Sequence, residues 1–350
     1  MIRHSYMKRR NFIKTGALAS AGLAASGSIF GKRIAEAPQK GLRAGIIGLD
    51  TSHATAFAKA LNQDHAPAEF GGYKIVAAFP QGSKDIESST ARAPAYIEEV
   101  KKLGVEIVDT IAELLEKTDV IFLESNDGRV HLEQAIPVFK AGKTMFIDKP
   151  LAGSLADAFA IAQAAKDFKQ PLFSTSSLRY MTNMDDIVKN QTAGRIVGAE
   201  VYGPCPLEAT HPDFFWYGIH GVEALFTVMG TGCKTVSRVH APDADVAVGI
   251  WEGNRTGTFR GMRTGKMYSY GGNAFGEKAI LPLGDYNGYD PLLKEIIKYF
   301  QTGISPVAAD ETLEIFTFME AADESKRRDG TAVSMDETKQ KALAQIRKIW

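Results

Sequence analysis

The chain has 350 residues, 45% of them hydrophobic and 23% charged, and its 41 Lys and Arg balance 41 Asp and Glu. That length exceeds one small core, so two domains are expected, and the composition is that of an ordinary globular protein. Zero net charge argues against a nucleic-acid binder, and no apolar run reaches the ~18 residues of a membrane anchor.

In the first 37 residues, Arg9-Arg10-Asn11-Phe12-Ile13-Lys14 resembles the twin-arginine export motif. The small, mildly apolar stretch Thr15–Phe30 suits a signal h-region. Residues 1–37 therefore read as signal peptide and linker, and a periplasmic or otherwise exported location is expected. Cleavage falls either after Ala35-Glu36-Ala37, although Pro38 follows, or near Ala25-Ser26-Gly27. Without this segment 34 basic residues face 40 acidic ones, a charge of −6, which again disfavours nucleic acid and anionic membranes. Cys205 and Cys233 permit one disulfide, or remain as buried free thiols.

Downstream, Leu42–Leu49 reads as a buried strand entering a glycine turn. Asp50, Thr51 and Ser52 are helix-capping types before a helix over His53–Asn62. Strand Tyr73–Phe79, a helix around Ala95–Leu103, a short strand near Val105–Val108 and a helix over Ile111–Lys117 follow. Val120–Leu123 has the character of a central parallel strand. The helix Val130–Lys140 contains Pro137, which predicts a kink or a shifted start. Thr144–Ile147 is another buried strand, Ser154 with Asp157 resembles a capping box for a helix to about Lys169, and Leu172–Ser174 is a sixth strand candidate. This alternation predicts a parallel sheet covered on both faces.

From Arg179 the pattern changes to successive strands: Gly198–Tyr202, Thr235–His240, Val246–Trp251, Thr256–Arg263 and Lys266–Tyr270. A helix is expected from about Ile219 to Met229, and two more, Pro291–Gln301 and Glu311–Lys326, near the end. The expected fold is α/β, with a Rossmann domain over 42–176 and an α+β domain with a largely antiparallel sheet over 177–350.

Five segments together resemble the Gfo/Idh/MocA family, the glucose–fructose oxidoreductase and inositol dehydrogenase group. They are Ala44–Gly48; Asp119–Leu123 followed by Asn126 and His131; Ala141-Gly142-Lys143 leading to Asp148-Lys149-Pro150-Leu151; Tyr217-Gly218-Ile219-His220; and Met319–Ser325 with Gly330. The resemblance implies an oxidoreductase using NAD or NADP, acting on a sugar, glycoside or polyol hydroxyl by hydride transfer. It also implies a homodimer or homotetramer paired through the second-domain sheet, and a cis Lys149–Pro150 bond. An NAD-dependent glycosidase-type reaction, or a sugar-binding protein that has lost the cofactor, are the alternatives.

Lys149, at the carboxyl edge of a parallel strand, and His220, opening a helix, are the catalytic candidates, suited to moving a hydroxyl proton. Gly45, Gly48, Thr51, Ser52, His53, Ser83, Lys84, Asn126, His131 and Asp148 are the cofactor-binding candidates. Arg179, Tyr180, Asp213, Trp216 and Tyr217 are the substrate candidates. An exported enzyme has no cytosolic cofactor pool, so the nucleotide is expected to be tightly bound.

Two departures, at the glycine fingerprint and at Trp216, count against the usual pattern, and the end of the second strand adds a smaller clue. Either Asp50 and His53 stand in place of the second and third fingerprint glycines, or the loop is shortened by three residues; Asp50 repels a pyrophosphate unless it turns inward to cap the helix. The loop Phe79–Lys84 lacks the ribose-binding acid, and Ser83 with Lys84 either receives a 2′-phosphate or is a simple turn. Trp216 occupies the family's usual aspartate position, with Asp213 a substitute. His211, Asp213 and His220 are compatible metal ligands, but their spacing fits no dedicated motif, and no metal is expected.

Overall fold

The computed structural model describes residues 41–264 and 269–350. The twin-arginine segment and most of the expected strand Lys266–Tyr270 lie outside the described residues.

Five short strands make the first sheet: β1 (Arg43–Ile47), β2 (Lys74–Phe79), β3 (Glu106–Ile107), β4 (Val120–Leu123) and β5 (Thr144–Ile147). They are parallel, in the order β3-β2-β1-β4-β5. Every residue of β4 is buried, as a central strand covered on both faces requires. The crossovers are α1 (Ser52–Asn62), α2 (Glu87–Lys102), α3 (Ile111–Lys117) and α4 (His131–Lys140), followed by α5 (Leu155–Asp167). Thr51, Thr110 and Ser154 cap α1, α3 and α5 through their hydroxyls.

Three expectations shift. Helix α2 begins at Glu87 rather than near Ala95, because the Ile86 N–H donates to Ser83 Oγ at 3.1 Å and starts the helix early; Pro94 lies inside it. Helix α4 holds Pro137 within its length and is preceded by a 3₁₀ turn over Gly128–Val130. The sixth strand reduces to one parallel bridge between Phe146 and Phe173, just after Pro171, which has no N–H to give.

At the amino edge of the sheet Asp119 accepts from Arg43 Nη2 at 2.7 Å and Nε at 2.9 Å, and from the Gly41 and Arg43 N–H groups. The Arg43 hydrogen bond is the main cause that holds this carboxyl down to about 2. Its folded-state pKa is depressed, so its contribution is complete above the unfolded value near 4 and is lost as pH falls towards 2. Asp119→Asn should cost about 1–2 kcal/mol at pH 7 and flatten the acid limb of stability between pH 5 and 2, read by denaturant titration across that range.

The second sheet contains β6 (Ile196–Pro204), β7 (Cys233–Ala241), β8 (Ala244–Trp251), β9 (Thr256–Met262), β10 (Gly271–Gly276), β11 (Ile280–Pro282) and β12 (Val333–Ser334). Its order is β11-β10-β6-β9-β8-β7-β12, antiparallel except between β6 and β9. The helical elements of this half are α6 (Met184–Val188), α7 (Gly218–Met229), α8 (Asp290–Thr302), α9 (Ala309–Arg327) and α10 (Met335–Leu343). Helices α7 and α9 pack on one face of the sheet. The fold is thus α/β, a Rossmann-type parallel layer joined to a mostly antiparallel α+β layer.

Helix α8 departs from the simple division of the chain. Its Leu292, Leu293, Ile296, Ile297 and Phe300, at helical spacing, join the core of the first sheet with Phe57, Phe122 and Phe146. Phe300 meets Phe122 edge-on at 5.0 Å. Each such side chain contributes about 1.5–3 kcal/mol of burial, so a late helix closes the earlier domain. Cys205 and Cys233 are both buried free thiols, and burial is the main cause raising each to about 12.

Candidate functional site

Strands β4 and β5 pair in register, Leu123 opposite Ile147, so Glu124 and Asp148 emerge side by side at their carboxyl ends. Both are fully buried. Helix α1 begins beside them and brings in His53, whose Nδ1 lies 2.9 Å from Asp148 Oδ2 and 4.0 Å from Glu124 Oε2. Neither carboxylate has a hydrogen-bond partner on either oxygen, and the short His53–Asp148 contact lacks hydrogen-bond alignment. Burial, then the Asp148 charge, raises the Glu124 carboxyl well above its ordinary value. Burial opposes ionisation of Asp148 too, but His53 and Lys149 outweigh it and hold that carboxyl to about 2.

Lys149 follows, with its peptide bond to Pro150 cis. Its Nζ is 3.7 Å from Asp148 Oδ2. Across the cleft stands His220 on α7, its Nδ1 2.7 Å from Ser176 Oγ. Burial, reinforced by the Lys149 and His53 charges, lowers the His220 pKa well below its ordinary value, so the ring is neutral. Lys149 and His220 line one cleft of ≈ 190 Å³, with Tyr217, Tyr270, Tyr286 and Tyr289 among its walls. Thr51, Ser52, His53 and Asn126 also line it, as does Arg92, whose buried Nε has no partner.

Glu124 went unread in the sequence, although an acid directly after a buried strand is the same signal that marked Asp148. Arg92 and the tyrosines at 270, 286 and 289 carried no signal, since they reach the cleft only through tertiary folding.

A dinucleotide implied by this fold has to cross the end of β1, its pyrophosphate resting on the start of α1. Thr51 and Ser52 at that start line the open cleft, and Asp50 closes the crevice beside them. Asp50, 1% exposed, accepts from Ser83 N at 2.9 Å on one oxygen and from Asn126 N at 2.9 Å on the other, joining the loops after β2 and β4. A Cβ on Gly82 would collide with that carboxylate, so glycine is required there. Further bonds draw the same walls together: Asn126 Nδ2 to Ser89 Oγ at 2.9 Å, Gln134 Nε2 to Gln81 O at 3.0 Å, and the Arg129–Asp85 ion pair. Asp50 thus turns inward, but Thr51 is the cap of α1. The residues present do not fit a dinucleotide along its usual path.

Several candidates take structural places instead. Gly45 lies within β1, where a Cβ would stand 2.8 Å from Thr118 Cγ2, and Gly48 (φ +89°) makes a left-handed turn against Ser125. Ser83 is spent on Asp50 and the start of α2, and Lys84 is exposed on that loop; neither lines the cleft. His131, fully buried, spans the Ser125 and Leu151 carbonyls at 2.7 and 3.1 Å.

Arg179 pairs with Glu223 at 2.8 Å and Glu311 at 2.6 Å, and Tyr180 is packed against the first core. Asp213 belongs to a buried cluster around Arg238, which it meets at 2.6 Å, with Lys326 at 2.7 Å and Asp245 and Asp323 also on Arg238. Trp216 stacks near His211 at 5.1 Å, and of the aromatic candidates only Tyr217 lines the cleft. His211 faces Asp127 at 3.3 Å, so His211, Asp213 and His220 have three separate partners and form no common ligand set.

The fold and cleft define a Rossmann-type α/β protein with a second, sheet-based domain over its ligand edge. Residues 42–175 match the Gfo/Idh/MocA family model, described as "Oxidoreductase family, NAD-binding Rossmann fold". A structure described as a probable dehydrogenase from Thermotoga maritima is 21% identical, with 85% of this chain and all of that one covered, at TM-score 0.67. Scyllo-inositol dehydrogenase from Lactobacillus casei, solved with NAD(H) and scyllo-inositol, is 15% identical, covering 84% of this chain and 99% of its own, also at 0.67. At these identities the likeness is one of fold. No curated protein sequence matches the chain.

Proposed function

We propose that the protein is an exported enzyme of the oxidoreductase family that acts on a hydroxyl of a sugar, glycoside or polyol. The observation that carries this reading is the convergence of Lys149 and His220 on one small cleft walled by tyrosines. Its ≈ 190 Å³ suits a molecule of about monosaccharide size. The Lys149 ammonium donates to the substrate oxygen, the neutral His220 ring exchanges the hydroxyl proton, and Ser176 orients that ring. The aromatic faces pack against the apolar face of a sugar ring.

Two readings of the redox partner differ. The family match and the NAD(H)-bound inositol dehydrogenase of like fold support hydride transfer to NAD or NADP. The Asp50 bridge supports the alternative, a sugar-binding protein that has lost the dinucleotide. Mass spectrometry of the natively purified protein, followed by titration with NAD and NADP, separates them. The bridge leads to the expectation of no retained nucleotide and a Kd above about 1 mM. Co-purified nucleotide, or saturation in the micromolar range, establishes the hydride-transfer reading instead.

A further inference from the structure

We propose that His53, Glu124 and Asp148 form a binding site for a single divalent transition-metal ion, of the Zn²⁺ or Mn²⁺ kind, at the inner end of the cleft. One ligand atom from each of the three lies within 4.8 Å of the others, and all three side chains are buried. Two donors bonded to one cation at about 2.0–2.2 Å stand at most about 4.4 Å apart. The 2.9 and 4.0 Å separations from His53 Nδ1 fall within that limit. The third requires at most a small side-chain adjustment.

The hydrogen-bond inventory points the same way. All four carboxylate oxygens of Glu124 and Asp148, and His53 Nδ1, are buried without an aligned hydrogen bond, although His53 and Lys149 both lie near Asp148 Oδ2. Buried carboxylates are ordinarily paired or coordinate metals. His53 and Asp148 are close enough to bond yet are misaligned for it, which leaves the facing atoms free to take a third partner. Lys149 Nζ is 3.7 Å from Asp148 Oδ2 and forms no ion pair with Glu124. One imidazole and two carboxylates suit Zn²⁺ or Mn²⁺ better than the all-oxygen preference of Ca²⁺ or Mg²⁺.

The placement also has a use. His53 and Lys149 line the cleft that the two acids underlie, so a cation here sits beside the group that meets a substrate oxygen and can polarise it. The site stands on its own donors and needs no particular substrate or dinucleotide.

The test uses the full chain after removal of metal with a chelator. Equilibrium dialysis against Zn²⁺ or Mn²⁺ with elemental analysis, and the electron paramagnetic resonance signal of bound Mn²⁺, give stoichiometry and affinity without substrate. One equivalent per chain is expected, with a Tm that rises on saturation. Glu124→Gln and Asp148→Asn, which keep size and shape, should each weaken uptake at least about 100-fold and abolish the Tm rise. No uptake by the wild type at about 1 mM of either ion would overturn the proposal and leave Glu124 as a carboxyl that keeps its proton. Uptake unaltered in both variants overturns it equally, by placing the ion elsewhere. A sugar that fails to bind while the cation binds sinks only the substrate reading.

Discussion

Lys149→Met is expected to lower turnover by about 10²–10⁴-fold on any sugar or polyol the wild type converts, with the fold intact by circular dichroism. Methionine keeps the stem that packs in the cleft and removes the ammonium that reaches the substrate oxygen. Lys149 is 9% exposed and lies beside the buried Asp148, so no other side chain can readily swing into its place. His220→Gln should give a similar loss, chiefly in kcat if the ring moves a proton and chiefly in KM if it only positions substrate. The pH profile adds a check. Burial pushes His220 well below 6.5, so the ring stays neutral through mildly acidic conditions. The acid limb of kcat/KM assigned to this group should therefore lie well below pH 6.5. A limb at 6.5 that disappears in His220→Gln would show that the ring titrates as an open, solvated histidine.

Asp50→Gly carries the second large effect, on stability and on ligand access together. The Asp50 carboxylate holds two backbone N–H groups, from Ser83 and Asn126, in a place closed to water. Removing it leaves both donors unsatisfied, so a loss of about 2–4 kcal/mol in unfolding free energy is expected. The same change reopens the end of β1, and NAD affinity should rise at least about tenfold, a gain of ~1.4 kcal/mol. Asp50→Asn separates the two consequences, since the amide fills the crevice yet can accept only through its single oxygen. A wild type that binds NAD as tightly as Asp50→Gly would show that the bridge opens without cost and does not guard the crevice.

Much of the first domain was legible because its signals are local. Continuous apolar runs at β1, β4 and β5, capped helices between them and the Asp-Lys-Pro turn each need only a few neighbouring residues. The parallel sheet follows from that alternation, since buried strands joined by helices have few other ways to cover both faces. Lys149, Asp148 and His220 were legible through the family resemblance of the short segments that hold them, each at the end or start of a recognisable element.

The sequence by itself therefore determined the fold class and much of the strand and helix order, and it singled out Lys149 and His220, which the structure brings to one cleft. It also showed that the glycine loop was altered at Asp50 and His53. What those two residues do was decided only by tertiary structure. Asp50 binds loops 33 and 76 residues away along the chain, and His53 meets acids that directly follow β4 and β5. Partners so distant are chosen by strand order and register, which place Glu124 beside Asp148 and the loops after β2 and β4 on either side of β1. The return of α8 to the first core, the commitment of Asp213 to Arg238 and the tyrosine walls have the same origin. A local pattern records what a segment prefers; which buried charge it must satisfy depends on what the whole chain packs against it.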